Sequence, residues 1–176
     1  MGLISGPTIL TSLSLFHITL GFFFITNPSV LADQALVLII GQSMGLPRER
    51  TFEKTSPALA FLGAVFIYFG ITDLVAVSVP EEISQWHWGT QAPVRFFLSA
   101  ALSLYTWLFS SSSPMIASRS AYKPGGWGEG LKNRLVFSWA FLEMVTWFWI
   151  FVTLREERRE FAVKVARRKA ADEDRL

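Results

Sequence analysis

Long apolar runs dominate this sequence and restrict what it can fold into. A helix needs roughly 20 mostly apolar residues to cross the ~30 Å hydrocarbon core of a bilayer. Four segments meet this requirement, and each is bounded by proline, glycine or charge, as helix ends are. They cover residues 8–26, 57–79, 93–109 and 135–154. The runs predict an all-α, polytopic membrane protein whose four spans form a transmembrane helix bundle.

The composition also favours lipid rather than water as the surroundings of the chain. Hydrophobic residues make up 51% of the 176 residues and charged residues only 17%, whereas about a quarter of the residues in soluble proteins are charged. A soluble domain of this size buries only about two-thirds of its unfolded surface. It could not hide 16 Phe and 7 Trp from water together with its other apolar residues. We therefore assign residues 1–154 to a transmembrane domain.

The segment 30–46 is apolar but less uniform than the four runs. It carries Asp33, Gln34 and Gln42, and it stops at Gly45 and Pro47. We predict a short interfacial or re-entrant helix here. The alternative is a short span packed inside the bundle.

The segment 155–176 is charged and consists of strong helix formers, with Glu160 and Lys164 at the favourable i, i+4 spacing. It predicts a helical tail that continues the last span out of the membrane. Lys164, Arg167 and Arg168 lie near one another on this helix and would suit anionic lipid headgroups. Glutamates interleave with them, so a solvated or partner-bound helix is the alternative.

A few ionisable residues lie inside or beside the apolar runs. In chain order they are His17, Asp73, Arg95 and Glu143. A charge at the centre of a span costs about 2.5–3.5 kcal/mol on insertion scales, so each of these groups needs a partner or a watery cavity. His17 and Glu143 share a similar depth, and Asp73 faces Arg95 across a predicted hairpin. We expect all four to make polar contacts between helices or with a partner; alternatively, they line a cation or proton path.

Aromatic residues of the predicted loops suit the two membrane interfaces, where Trp and Tyr are enriched. Trp86 and Trp88 fall in the predicted loop 80–92, and Tyr122 and Trp127 fall in the predicted loop 110–133. Such residues position helices and imply no ligand.

Motifs of catalysis, metal binding and nucleic-acid binding are absent from the sequence. The lack of cysteine excludes disulfides, thiolate metal sites and cysteine nucleophiles. No nucleophile elbow, paired histidines or general acid–base carboxylate pair occurs, and the net charge of +2 is not that of a nucleic-acid binder. We expect no enzyme activity, cofactor or metal; a lipid-modifying enzyme that uses a buried carboxylate has the least support.

Several short stretches, in order along residues 10–160, resemble the fungal family named for increased loss of mitochondrial DNA. They are residues 42–47, 70–74 and 93–95, Glu143, and residues 155–158. The resemblance implies a multi-pass protein of the endoplasmic reticulum membrane whose loss affects mitochondrial genome maintenance indirectly. It transfers no catalytic or binding residues. The Pro- and Gly-rich segment 123–130 is longer than the family's minimum, and the tail lacks a long acidic extension.

These observations predict a non-enzymatic subunit or adaptor of a larger endoplasmic reticulum membrane assembly that handles lipids. Its expected partners are membrane lipids and a larger membrane protein, with no nucleic acid. The alternative is a small cation or proton channel or carrier that uses Glu143, Asp73 and His17. We expect the tail to be cytosolic because its basic residues are dense beside the last span, although the loops at the opposite end carry nearly as many.

Overall fold

The described part of the chain is mostly helical and contains no strand. The structure, a computed structural model, describes residues 4–110, Ser113 and 128–173, with the backbone alone at 81–82, 161–162 and 164–173. Its α-helices are α1 (Gly6–Thr26), α2 (Pro28–Ala32), α3 (Ala35–Ser43), α4 (Pro57–Ser78), α5 (Glu81–Leu108) and α6 (Arg134–Glu173). Two short 3-10 helices cover Arg50–Glu53 and Glu129–Leu131. The predicted all-α class is confirmed.

Among the described residues, three helices are long and apolar enough to cross a membrane. They are α1, α4 and the segment Arg134–Glu160 of α6. The outward surface of α4 is strongly apolar: Phe61 is 73% exposed, Tyr68 70% and Val75 60%. An apolar outer face suits lipid and would be unusual in water. The helices therefore fit a membrane protein.

The third predicted span, residues 93–109, belongs to α5, which is not among these three helices. The segment 80–92 is not a loop, because α5 begins at Glu81 and runs 28 residues through Pro93. Proline is favoured at helix starts and disfavoured in helix interiors, so Pro93 predicts the start of a span. The first half of α5 is largely polar, so no apolar run extends before Pro93.

The segment 30–46 forms two short helices rather than the single predicted one. Helix α2 has five residues and α3 has nine, which corresponds to about 8 Å and 14 Å. Neither length crosses the hydrocarbon core. Helix α3 packs on the start of α6, where the Arg134 Nε donates a 2.6 Å hydrogen bond to the Leu46 carbonyl.

Helices α1 and α4 pack so closely that their backbones touch. A Cβ atom at Gly21 would lie 2.5 Å from the Gly63 carbonyl oxygen, and one at Gly63 would lie 2.6 Å from the Gly21 carbonyl oxygen. About two helical turns further along α4, a Cβ atom at Gly70 would lie 2.6 Å from the Ser14 carbonyl oxygen. Small residues at such a contact allow the close approach that drives helix association in lipid.

Helices α5 and α6 form the second close pair. Ala92 on α5 and Ala140 on α6 are fully buried, and so is Thr106. Ser103, one turn before Thr106 on α5, is buried as well, so these polar side chains lie against protein. Helix α1 also contacts α6, whereas α4 and α5 touch each other little.

The four long helices alternate in direction. The Gly6 amide at the start of α1 donates to Glu157 near the end of the apolar part of α6, and Arg158 reaches Gln85 near the start of α5. Helix α6 continues without a break for 40 residues, about 60 Å, which is twice the hydrocarbon thickness. The side chains of Lys164, Arg167 and Arg168 lie outside the described part of the structure.

A candidate polar network and lateral cleft

A buried pair of ionisable side chains joins α1 to α6. His17 Nε2 lies 2.6 Å from Glu143 Oε1, and the two residues are 5% and 4% exposed. The second carboxylate oxygen, Oε2, accepts a 2.7 Å hydrogen bond from the Trp147 indole. A proton must lie between His17 and Glu143 at that distance, because two bare acceptors would repel. Both oxygens of the buried carboxylate are therefore satisfied.

A second pair, an ion pair, joins α4 to α5. The Arg95 guanidinium donates through Nη1 and Nη2 to the two oxygens of Asp73, at 2.7 Å and 2.9 Å. Asp73 is buried and Arg95 is partly buried. This two-pronged geometry is the strongest arrangement that an arginine and a carboxylate can adopt.

Trp147 connects the two pairs. The Arg95 Cζ lies 4.8 Å from the centroid of a Trp147 ring, and 5.4 Å from that of Trp88, distances at which cation–π attraction acts. Trp88 and Trp147 also stack, with centroids 5.9 Å apart and planes at 22°. We call the connected set of His17, Glu143, Trp147, Arg95 and Asp73 the polar network. It links all four long helices.

The structure thus brings the four ionisable residues named from the sequence into one network, but it places Trp88 differently. Trp88 is not an interfacial loop residue: it lies in α5 and is 1% exposed. The spacing of Trp88, Ala92 and Arg95 is helical and could have revealed this shared face. Trp86 is exposed, whereas Tyr122 and Trp127 fall outside the residues described.

A cleft of about 490 Å³ opens sideways between α4 and α5, above the polar network. Its floor consists of His17, Glu143, Arg95 and Trp147. Its walls and rim are formed by Leu62, Val65, Phe66, Phe69, Gln91, Val94, Leu98, Ser99 and Trp139. The rim is on the outer surface of the bundle, since Val94 and Leu98 are more than half exposed. The cleft is apolar at its mouth and polar at its base.

Two polar atoms of residues that line this cleft have no hydrogen-bond partner. They are the His17 Nδ1 and the Trp139 Nε1, and both are buried. A buried polar atom without a partner costs about 1–3 kcal/mol. Both atoms are enclosed within the bundle, so the polar groups open to the cleft are those of the partly exposed Gln91, Arg95 and Ser99. Among the described residues, no group of three His, Asp or Glu side chains is placed to hold a metal ion.

Comparison with known proteins decides the family. The model of the family described as increased loss of mitochondrial DNA protein 1 matches residues 4–164, which include the whole polar network. The chain belongs to the Ilm1 family. Protein ilm1 of Schizosaccharomyces pombe is 26% identical over 158 residues, which cover 86% of each chain. No solved structure matches this Ilm1-family chain. The resemblance drawn from the short sequence stretches is confirmed.

Proposed function

We propose that this Ilm1-family protein is a non-enzymatic subunit of a larger endoplasmic reticulum membrane assembly and holds a lipid-like amphiphile in the α4–α5 cleft. The observation that carries the proposal is the cleft itself, with apolar walls above a polar base. Acyl chains alone would leave the polar base unsatisfied. A molecule that is both apolar and hydrogen-bonding matches both surfaces.

The size and chemistry of the cleft suit such a ligand. Small-molecule pockets span about 300–1,000 Å³, mostly apolar with a few polar groups that fix orientation. The apolar part of the ligand would pack on Val65, Phe69 and Leu98. A hydroxyl or ester oxygen at its polar end could hydrogen-bond with Gln91, Arg95 or Ser99, which line the cleft and are partly exposed.

The contacts of the carboxylates support a structural rather than a catalytic role. Glu143 uses both oxygens on His17 and Trp147, and Asp73 uses both on Arg95. Each carboxylate is thus held by partners within the bundle. The apolar outer face of α4 is suited to further helices of an assembly. The endoplasmic reticulum location and the link to mitochondrial DNA maintenance rest on the family.

Purification in a mild detergent, with identification of the bound proteins and lipids by mass spectrometry, tests this proposal. The wild type should carry a protein partner and an amphiphile. Val65→Trp, which fills the cleft, should lose the amphiphile while keeping its thermal stability. The matched control is Val75→Trp, since Val75 lies on the same helix but does not line the cleft. Equal recovery of the amphiphile with both variants would contradict the cleft as its site.

The alternative is a cation or proton carrier, favoured by the buried His17–Glu143 pair at the base of a cleft. Reconstitution into liposomes separates the two functions. A subunit should show no ion flux above that of empty liposomes. Flux that Glu143→Gln abolishes would instead establish transport.

A further inference from the structure

A second cleft, of about 300 Å³, lies at the far end of the α5–α6 pair. It is lined by Gly89, Phe151, Leu154, Arg155, Arg158 and Arg159. Three of these residues are arginines, and none is acidic. We call it the arginine cleft. It contains both arginines of the segment 155–158, for which the lateral cleft gives no role.

Gly89 makes room for one of the arginines. The Arg158 side chain crosses α5 at this glycine and donates from Nη2 to the Gln85 carbonyl. A Cβ atom at position 89 would collide with the Arg158 guanidinium. The guanidinium is therefore fixed over α5 by a backbone contact, with no carboxylate to neutralise it there among the described side chains.

The other two arginines are free to bind a ligand. Arg155 and Arg159 lie one helical turn apart on α6, and both are exposed. Neither has an ion-pair or hydrogen-bond partner within the part of the chain that the structure describes. The neighbouring Glu157 is engaged elsewhere, since it accepts a 2.8 Å hydrogen bond from the Gly6 amide.

The arginine cleft lies where the apolar part of α6 ends. Phe151 and Leu154 belong to the last apolar run, and Arg155 is the first residue of the charged segment. In a bilayer this boundary coincides with the level of the lipid phosphates. The cleft thus offers apolar contact on its membrane side and guanidinium groups on its outer side.

We propose that the arginine cleft binds the phosphate of an anionic phospholipid. Arg155 and Arg159 present their planar forks to the phosphate oxygens, as arginine does at phosphate sites. Arg158 adds a third positive charge from over Gly89, and Phe151 and Leu154 contact the first carbons of the acyl chains. This site is separate from the lateral cleft, because the two clefts share no lining residue, and it does not depend on the proposed function.

The test uses the full chain in an uncharged detergent with phosphatidylcholine, titrated with phosphatidic acid. Native mass spectrometry gives the ratio of phosphatidic acid to phosphatidylcholine bound. The double variant Arg155→Gln with Arg159→Gln should lower this ratio tenfold to thirtyfold. This is about the fall expected when two basic residues near an anionic surface lose their charge. The double variant Arg155→Lys with Arg159→Lys keeps the two charges but lacks the planar guanidinium groups. It should lower the ratio only a few-fold.

The control is Arg50→Gln with Lys54→Gln, which removes the same two charges from exposed positions at the other end of the bundle. It should leave the ratio unchanged. An equal fall in both glutamine variants would mean general electrostatic attraction. No fall in either would mean that the cleft does not bind the lipid. Both results overturn the proposal.

Inorganic phosphate should compete poorly with phosphatidic acid for the cleft. If it displaces phosphatidic acid at similar concentration, the site takes free phosphate and the lipid assignment is wrong.

Discussion

At the residue scale, Glu143 is the member of the polar network that contacts both His17 and Trp147. Replacing it with alanine leaves the His17 Nε2 and the Trp147 indole without their partner. Breaking a buried pair in this way costs about 3–5 kcal/mol. We expect Glu143→Ala to lower the thermal unfolding temperature in detergent strongly, whereas Thr72→Ala, on the exposed surface of α4, should have little effect. A melting temperature equal to that of the wild type would show that the pair contributes nothing.

Trp147 acts through its indole N–H as well as through its ring. Trp147→Phe keeps an aromatic ring near Arg95 but removes the donor to Glu143, which costs about 1–3 kcal/mol. Trp149→Phe is the matched control, because Trp149 is half exposed and lies only two residues away. Thermal unfolding of the two variants should differ clearly. If both unfold at the same temperature, the 2.7 Å hydrogen bond is not stabilising.

At the element scale, the α1–α4 pair depends on glycine at its contact. Gly63→Ala would place a methyl group 2.6 Å from the Gly21 carbonyl oxygen and force the helices apart. Overpacking of this kind costs about 1–3 kcal/mol. The control is Gly130→Ala, since a Cβ atom there meets nothing within 4 Å. Unfolding in increasing denaturing detergent should separate the two variants, and equal resistance would argue against the close contact.

Sequence reasoning located the elements with a continuous apolar run and missed the elements without one. Helices α1 and α4 begin and end within two residues of the predicted segments 8–26 and 57–79. The first half of α5 was missed because it has no continuous apolar run and is followed by Pro93. The break between α2 and α3 was missed because a periodic apolar pattern continues across Asp33 and Gln34.

The candidate site was partly predictable for a related reason. Ionisable residues stand out against an apolar background, and their depth suggested the pairs of His17 with Glu143 and of Asp73 with Arg95. The connection through Trp147 and Trp88 depends on how α5 and α6 pack. Neither that contact nor the lateral cleft has a local sequence signal, because the contact arises from the packing of α5 on α6 and the cleft from the separation of α4 and α5.

At the scale of the whole molecule, the contacts between distant helix ends show which segments share an end of the bundle. The Gly6–Glu157 hydrogen bond places the start of α1 beside the charged part of α6. The Arg134–Leu46 hydrogen bond places the segment after α3 at the opposite end. The absence of cysteine makes any introduced cysteine unique in the chain, so the arrangement can be mapped by chemical labelling.

In sealed microsomes, a membrane-impermeant maleimide should therefore label Ser5→Cys and Glu156→Cys alike, because these exposed positions lie at the same end of the bundle. With the tail in the cytosol, both react before any detergent is added. Arg50→Cys should react only after the membrane is opened, and Phe61→Cys on the apolar face of α4 should stay slow until the protein is solubilised. Labelling of Ser5→Cys and Glu156→Cys from opposite sides would contradict the four alternating helices. Labelling of both only after opening would keep that arrangement and place the tail in the lumen.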